Sequence, residues 1–231
     1  MVSNILGRKA TVYWSASCMS QRSAVDLLVE EPKNLLKDIS SKLPNSGVNM
    51  CPSFLNDMRN TYIVSAPCDF SVKYISAENK WHYIANQTSF GSDDAKDIIT
   101  QFHGFIHYDF FTESQDTTMT LLAPSLHHVI APYFGGSFDI DKWYRSVSAA
   151  YLLDKKKEYF FKEGSPLFYV KFNKPVKFVQ FYVDPELAHI TYKTMLMKDY
   201  VGTKPLTYLY NKFLRSRFNK RIANAIKNRI V

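Results

Sequence analysis

The chain has 231 residues, 46% hydrophobic and 22% charged, which supports a folded core and excludes a disordered tail. Aromatics reach 15% and there are only 8 Gly, so collagen-like and Gly-rich repeats are excluded. The net charge of +8 is localised: residues 190–231 hold ten Lys or Arg and one acid, leaving 19 bases against 20 acids in residues 1–189.

In chain order, Thr11–Trp14 is a short β-type run. Glu30-Glu31-Pro32 opens a helix, with acids and Pro in the first turn and Leu35, Leu36 and Ile39 on one side. Pro44-Asn45-Ser46-Gly47 stops it, and Ser53 caps a further helical turn at Cys51–Phe54. Thr61–Ser65 and Asp69–Ile75 read as strands split by Ala66-Pro67, with Trp81–Ala85 pairing to the second. The polar stretch 86–96 reads as a loop. Phe102–Phe111, Thr117–Leu122 and His127–Ala131 follow as strands, and Pro132–Gly136 as a turn. Val147–Leu153, Tyr159–Lys162, Leu167–Phe172 and Val176–Val183 complete the β region, with Lys155-Lys156-Lys157 and Glu163-Gly164-Ser165-Pro166 as turns between them.

Many short strands at near-regular spacing predict a mainly β fold, a β-sandwich or jelly-roll-like core with a short N-terminal helix. The chain changes character at Asp184-Pro185-Glu186, which caps and starts a helix running to about Tyr200 with Gly202 as its stop. From Pro205 a second helix of about 25 residues is expected, so residues 1–183 read as a β core and 184–231 as a basic helical hairpin. Its apolar residues Leu209, Phe213, Leu214, Phe218, Ile222, Ile226 and Ile230 wind around the axis, which predicts a break near Asn219 or a curved contact surface.

Several blocks resemble a known group. Val12-Tyr-Trp14, Cys51-Pro-Ser-Phe54, Asn60–Pro67, Gly136–Arg145 and Glu163–Phe172 together resemble a family of hypothetical proteins of tailed phages of marine bacteria, T4-like cyanophages included. Where those relatives carry an acid between the Gly and Pro of the last block, this chain has Ser165. The resemblance spans most of residues 11–185 and leaves out the basic tail. It implies a phage-encoded protein at work in an infected host's cytoplasm or in the virion, and no activity comes with it.

Three arrangements bear on function. His107-Tyr-Asp109 on a strand puts an imidazole and a carboxylate on one face roughly 6–7 Å apart, two ligands of a facial Fe(II) triad. His107–Phe111 resembles the corresponding segment of prolyl hydroxylases, which implies an Fe(II)/2-oxoglutarate oxygenase as an alternative function. His189 is the best-spaced third ligand but falls on a helix, and His127 or His128 can take its place; a half-buried strand with a His–Asp hydrogen bond explains the same residues. Second, Trp143 and Arg145 can pair as ring and cation on the surface, or pack as an ordinary Trp beside a solvated Arg. Third, Lys212, Arg215, Arg217, Lys220, Arg221, Lys227 and Arg229 alternate with Phe213, Phe218 and Ile222, as in a helix tracking a nucleic-acid backbone.

Nucleotide-binding and serine-hydrolase motifs are absent from the sequence, and Cys18, Cys51 and Cys68 have no metal or redox spacing, which points to a reducing cytoplasm. No apolar run approaches the ~18 residues of a membrane-crossing helix. The leading expectation is therefore a non-enzymatic protein without a cofactor, binding a protein partner or sitting in a virion, with nucleic acid as the alternative partner of the tail.

Overall fold

A computed structural model describes residues 9–20, 23–26, 30–44, 47–85, 88–92, 99–101, 106–147, 149–195, 206–215 and 218–231. The N-terminal part contains β1 (Ala10–Ser20), β2 (Ser23–Asp26), β3 (Lys33–Asn34), α1 (Leu35–Lys42) and α2 (Pro52–Asp57). The middle contains β4 (Thr61–Ser65), β5 (Phe70–Ile75), β6 (Lys80–Ala85), β7 (Thr88–Ser92), β8 (Ile99–Gln101), β9 (His107–Phe111) and β10 (Thr118–Leu122). Next come β11 (Gly136–Asp139), β12 (Arg145–Val147), β13 (Ala150–Leu152), β14 (Glu158–Phe161), β15 (Pro166–Phe172) and β16 (Val176–Gln180). Three helices follow: α3 (Pro185–Met195), α4 (Leu206–Arg215) and α5 (Phe218–Lys227). Strand outweighs helix, and the protein is mainly β.

The strands form several sheets. The first runs β12-β9-β1-β16, with β2 also on β1, and only the β1–β16 pairing is parallel. The second runs β11-β10-β15-β4-β3 and the third β14-β5-β6-β7, antiparallel throughout, while β8 and β13 form a separate pair. Side chains alternate across a strand, so each sheet sorts its residues by parity. Val12, Trp14, Tyr108 and Phe110 of the first sheet share one hydrophobic cluster with Met119, Phe168 and Val170 of the second and Val72, Trp81 and Phe161 of the third.

The opposite faces of the first two sheets are also covered. Tyr13 and Phe111 point the other way, into a second cluster with Trp143, Tyr144, Leu187, Phe213, Ile222 and Ile226. The C-terminal helices therefore lie on the back of the first sheet. On the second sheet, Ile63 and Tyr169 pack against Leu35 and Ile39 of α1. The last residues close the structure: Phe181 bridges Ile230, and the Val231 N–H donates to the Gln180 carbonyl at 3.1 Å.

The structure moves several expected boundaries. Helix α1 starts at Leu35 and not in its expected Pro32 turn, because Lys33 and Asn34 pair with Ile63 and Tyr62 and the Asn34 Oδ1 accepts from the Lys37 N–H at 3.1 Å. Cys51, not Ser53, is the N-cap of α2, with Pro52 in the first turn. Thr88–Ser92, expected as loop, is a strand bonded to β6 at the edge of its sheet among the described residues. His127–Ala131 forms no strand: after Pro124 the chain turns, with the His127 N–H on the Pro124 carbonyl at 2.9 Å. The long last helix is two segments, α4 and α5, whose Phe213 and Phe218 rings stack with centroids 5.9 Å apart. The expected helix end at Tyr200 and Gly202 lies outside the described residues.

Candidate functional site

The strand β9 carries the expected His107–Asp109 pair at the centre of the first sheet. Asp109 stands opposite Ser15 on β1 and Ser146 on β12, and residues directly opposite share a face. All three are buried, Asp109 to 4% exposure, in a polar island on the side that the C-terminal helices cover. The Tyr144 hydroxyl donates to the Asp109 carboxylate; burial first, then that negative charge and hydrogen bond, hold the phenol well above its ordinary range. His107 stands opposite Ser17, and its side chain lies outside the described residues.

The residues considered as third ligands are elsewhere occupied or at the surface. His127 bonds to Tyr169 and Asp38, and His128 and His189 are exposed. Among the described residues no group of three or more His, Cys, Asp or Glu could hold a metal ion. Trp143 is buried, with its ring 5.9 Å from that of Tyr210 on α4, so it belongs to the helix–sheet contact and not to a surface ring–cation pair. Arg145 faces Phe110 across β12–β9, and its side chain lies outside the described residues.

A second polar constellation was not legible in the sequence, because its members are far apart along the chain. The Leu126 N–H donates to the Tyr169 hydroxyl oxygen at 3.3 Å, and that hydroxyl lies 2.5 Å from the His127 Nδ1. The His127 Nε2 lies 3.2 Å from the Asp38 Oδ2, which also accepts from the Lys42 Nζ at 2.8 Å. The Tyr169 hydroxyl, the His127 ring and the Asp38 carboxylate thus form one connected polar chain, with the Lys42 Nζ 3.3 Å from the His127 Nε2. Burial pushes the Tyr169 phenol up to about 12 despite the Leu126 N–H. Burial would also raise the Asp38 carboxyl, but Lys42 and then His127 outweigh it and hold the group below its ordinary value. With both ring nitrogens engaged, His127 is a clamp joining α1, the turn after Pro124 and β15.

The basic tail divides into bases used internally and bases facing solvent. Arg229 is 8% exposed and donates from Nε to Asp184 at 2.8 Å, from Nη1 to the Ala225 carbonyl at 2.8 Å and from Nη2 to Glu186 at 2.7 Å. Lys227 pairs with Glu113 at 2.5 Å. Asn219 anchors α5 to the turn after β11, donating to the Asp141 carbonyl at 2.7 Å and the Lys142 carbonyl at 3.2 Å. Lys212, Lys220 and Arg221 are exposed; Arg217 and the side chain of Arg215 lie outside the described residues. Phe213 and Ile222, expected to alternate with the bases in a binding groove, are fully buried in the helix–sheet cluster, because the apolar stripe is what holds the helices down.

No helix among the described residues is long and apolar enough to cross a membrane. No family model matches the chain, and neither does any curated protein or any solved structure.

Proposed function

We propose that this protein is a non-catalytic β-sandwich that acts by contact, and that its contact surface is the solvent side of α4 and α5, which binds a nucleic-acid-like polyanion. One observation carries the reading: the apolar sides of both helices are spent on the first sheet, while Lys212, Lys220 and Arg221 remain on the outside of a segment without a single acid after Asp199. Such a face attracts polyanions over long range and gains from counterion release on contact. The His–Tyr–Asp clamp and the Asp109–Tyr144 pair are accounted for as structural polar bonds, and neither presents an activated nucleophile. The resemblance of the five sequence blocks to tailed-phage proteins supports a setting in an infected bacterial host or in the virion.

The test is binding of a fluorescein-labelled 20-mer duplex to the whole protein at 50 and 200 mM salt. Three phosphate contacts imply a log–log salt slope near −2.7 and a loss of roughly 40-fold in affinity across that range. Binding that ignores salt, or no binding at 50 mM, refutes the proposal.

A further inference from the structure

We infer that two copies of this chain pair through strand β14, edge to edge and antiparallel, about a two-fold axis at Phe160. The inference is independent of the polyanion reading and goes beyond it. β14 ends the β14-β5-β6-β7 sheet, and among the described residues it pairs with β5 alone. A row of its backbone N–H and C=O groups points away from β5, the template for a further strand. Tyr159 and Phe161 are buried in the shared core, while Glu158 and Phe160 alternate with them on the exposed side. Phe160, at 67%, is the most exposed aromatic residue among the described residues, so the centre of this edge is apolar where a protected edge carries a charge.

Charge complementarity names the occupant. The segment reads Lys157-Glu158-Tyr159-Phe160-Phe161-Lys162-Glu163, and its four charged residues are all exposed. With Phe160 set on Phe160 of a second copy, Glu158 stands opposite the second copy's Lys162 and Lys157 opposite its Glu163. Symmetry makes each of these pairs twice. Tyr159 meets Phe161 on the inner face, so the apolar layer continues from one sheet into the next. A slip of one residue brings Lys157 onto Lys162 or Glu158 onto Glu163, and it turns inner side chains outward. A parallel pairing in the same alignment sets every charge on its own like. The Ser71 hydroxyl donates to the Glu158 Oε1 at 3.0 Å, which fixes that carboxylate in place beside Phe160.

The experiment is analytical ultracentrifugation of the whole protein at up to about 300 µM, since small interfaces make weak dimers. It compares the wild type with Phe160→Ser, Lys162→Glu, Glu158→Lys and an equimolar mixture of the last two. Thermal unfolding checks that each variant folds. The wild type should dimerise. Phe160→Ser and Lys162→Glu should each lose about tenfold in dimer affinity, because symmetry applies each change twice. The mixture should recover the dimer, since the two substitutions together restore opposite charges in both pairs. Under mild oxidation Phe160→Cys should cross-link above the wild-type background. Lys162→Cys should not, because its counterpart lies roughly 13 Å away along the strand. A wild type that stays monomeric overturns the inference, and so does a dimer that Phe160→Ser and Lys162→Glu leave intact. Equal cross-linking of the two cysteine variants overturns the register.

Discussion

Replacing Arg229 by Met tests how the C-terminal helices are locked onto the sheet. The Met side chain keeps most of the apolar stem and deletes the guanidinium, which bonds the Ala225 carbonyl of α5, the α3 cap Asp184 and the first-turn Glu186. Glu186 is 75% exposed at its side chain, so that pair contributes almost nothing. Asp184, 30% exposed, contributes about 1 kcal/mol. The buried, charge-assisted bond to the Ala225 carbonyl contributes about 2 kcal/mol. The total of about 3 kcal/mol lowers Tm by roughly 6–12 °C for a chain of this length. Thermal unfolding followed by circular dichroism reads the shift.

The pH dependence gives a second readout. Partial burial would raise the Asp184 carboxyl, but the Leu187 N–H and then Arg229 outweigh it and hold the group below its ordinary value. A depressed folded pKa contributes stability above the unfolded value near ~3.9, and that stability is lost as pH falls through the folded value. The gap between the wild-type and Arg229→Met curves should therefore narrow on the acid side by the Asp184 share, about 1 kcal/mol, while the share of the Ala225 carbonyl remains. A Tm change under about 2 °C refutes the assignment of Arg229 as the lock, and a gap that stays constant down to low pH refutes the share given to Asp184.

Other expected outcomes follow from the same geometry. Tyr169→Phe removes the acceptor of the Leu126 N–H and the hydrogen-bond partner of the His127 Nδ1, and should cost about 2 kcal/mol and speed amide exchange in residues 124–131. Ile226→Ala, at a fully buried position under the first sheet, should cost about 3 kcal/mol in denaturant unfolding; a cost near zero would mean that the helices do not stabilise the core. A Cβ at Gly135 would run into the Leu121 backbone carbonyl, so Gly135→Ala should disturb the β10–β11 pairing and cost about 1–3 kcal/mol, with little change if the strand edge yields. Burial pushes the Tyr108, Tyr133, Tyr144 and Tyr151 phenols up, so the unfolded state loses those protons first, from about pH 10. Stability should fall as pH rises above that value, and the tyrosinate absorbance of these residues should appear only with unfolding.

Legibility in the sequence followed the range of the interactions. Strands β4, β5 and β15 were readable because each is a run of β-branched and aromatic residues closed by a turn with its own chemistry, as at Ala66-Pro67 and Glu163–Pro166. The face that each residue took was not, since Phe168 and Tyr169 are both buried, one against the shared core and the other against α1. Strand β7 was hidden by its Ser/Thr/Gly composition, and its pairing with β6 is what makes it a strand. At the candidate site the concentration of bases was plain, but Arg229 and Lys227 carry the same charge in the sequence as Lys212 and Lys220. Only the folded structure brings Asp184 and Glu186 against Arg229, which is buried, and Glu113 against Lys227, which stays exposed but paired.

Composition and local pattern were therefore sufficient for a mainly β chain with a basic helical end, because strand alternation, caps and turns act over a few residues and need no partner. Tertiary structure decided which side of the first sheet the helices cover, that Trp143 is core, that Asp38, His127 and Tyr169 meet, and which cations stay in water. These depend on contacts between residues far apart in the chain, such as Asp38 and His127 at 89 positions, whose free energy exists only after the chain has closed the loops between them.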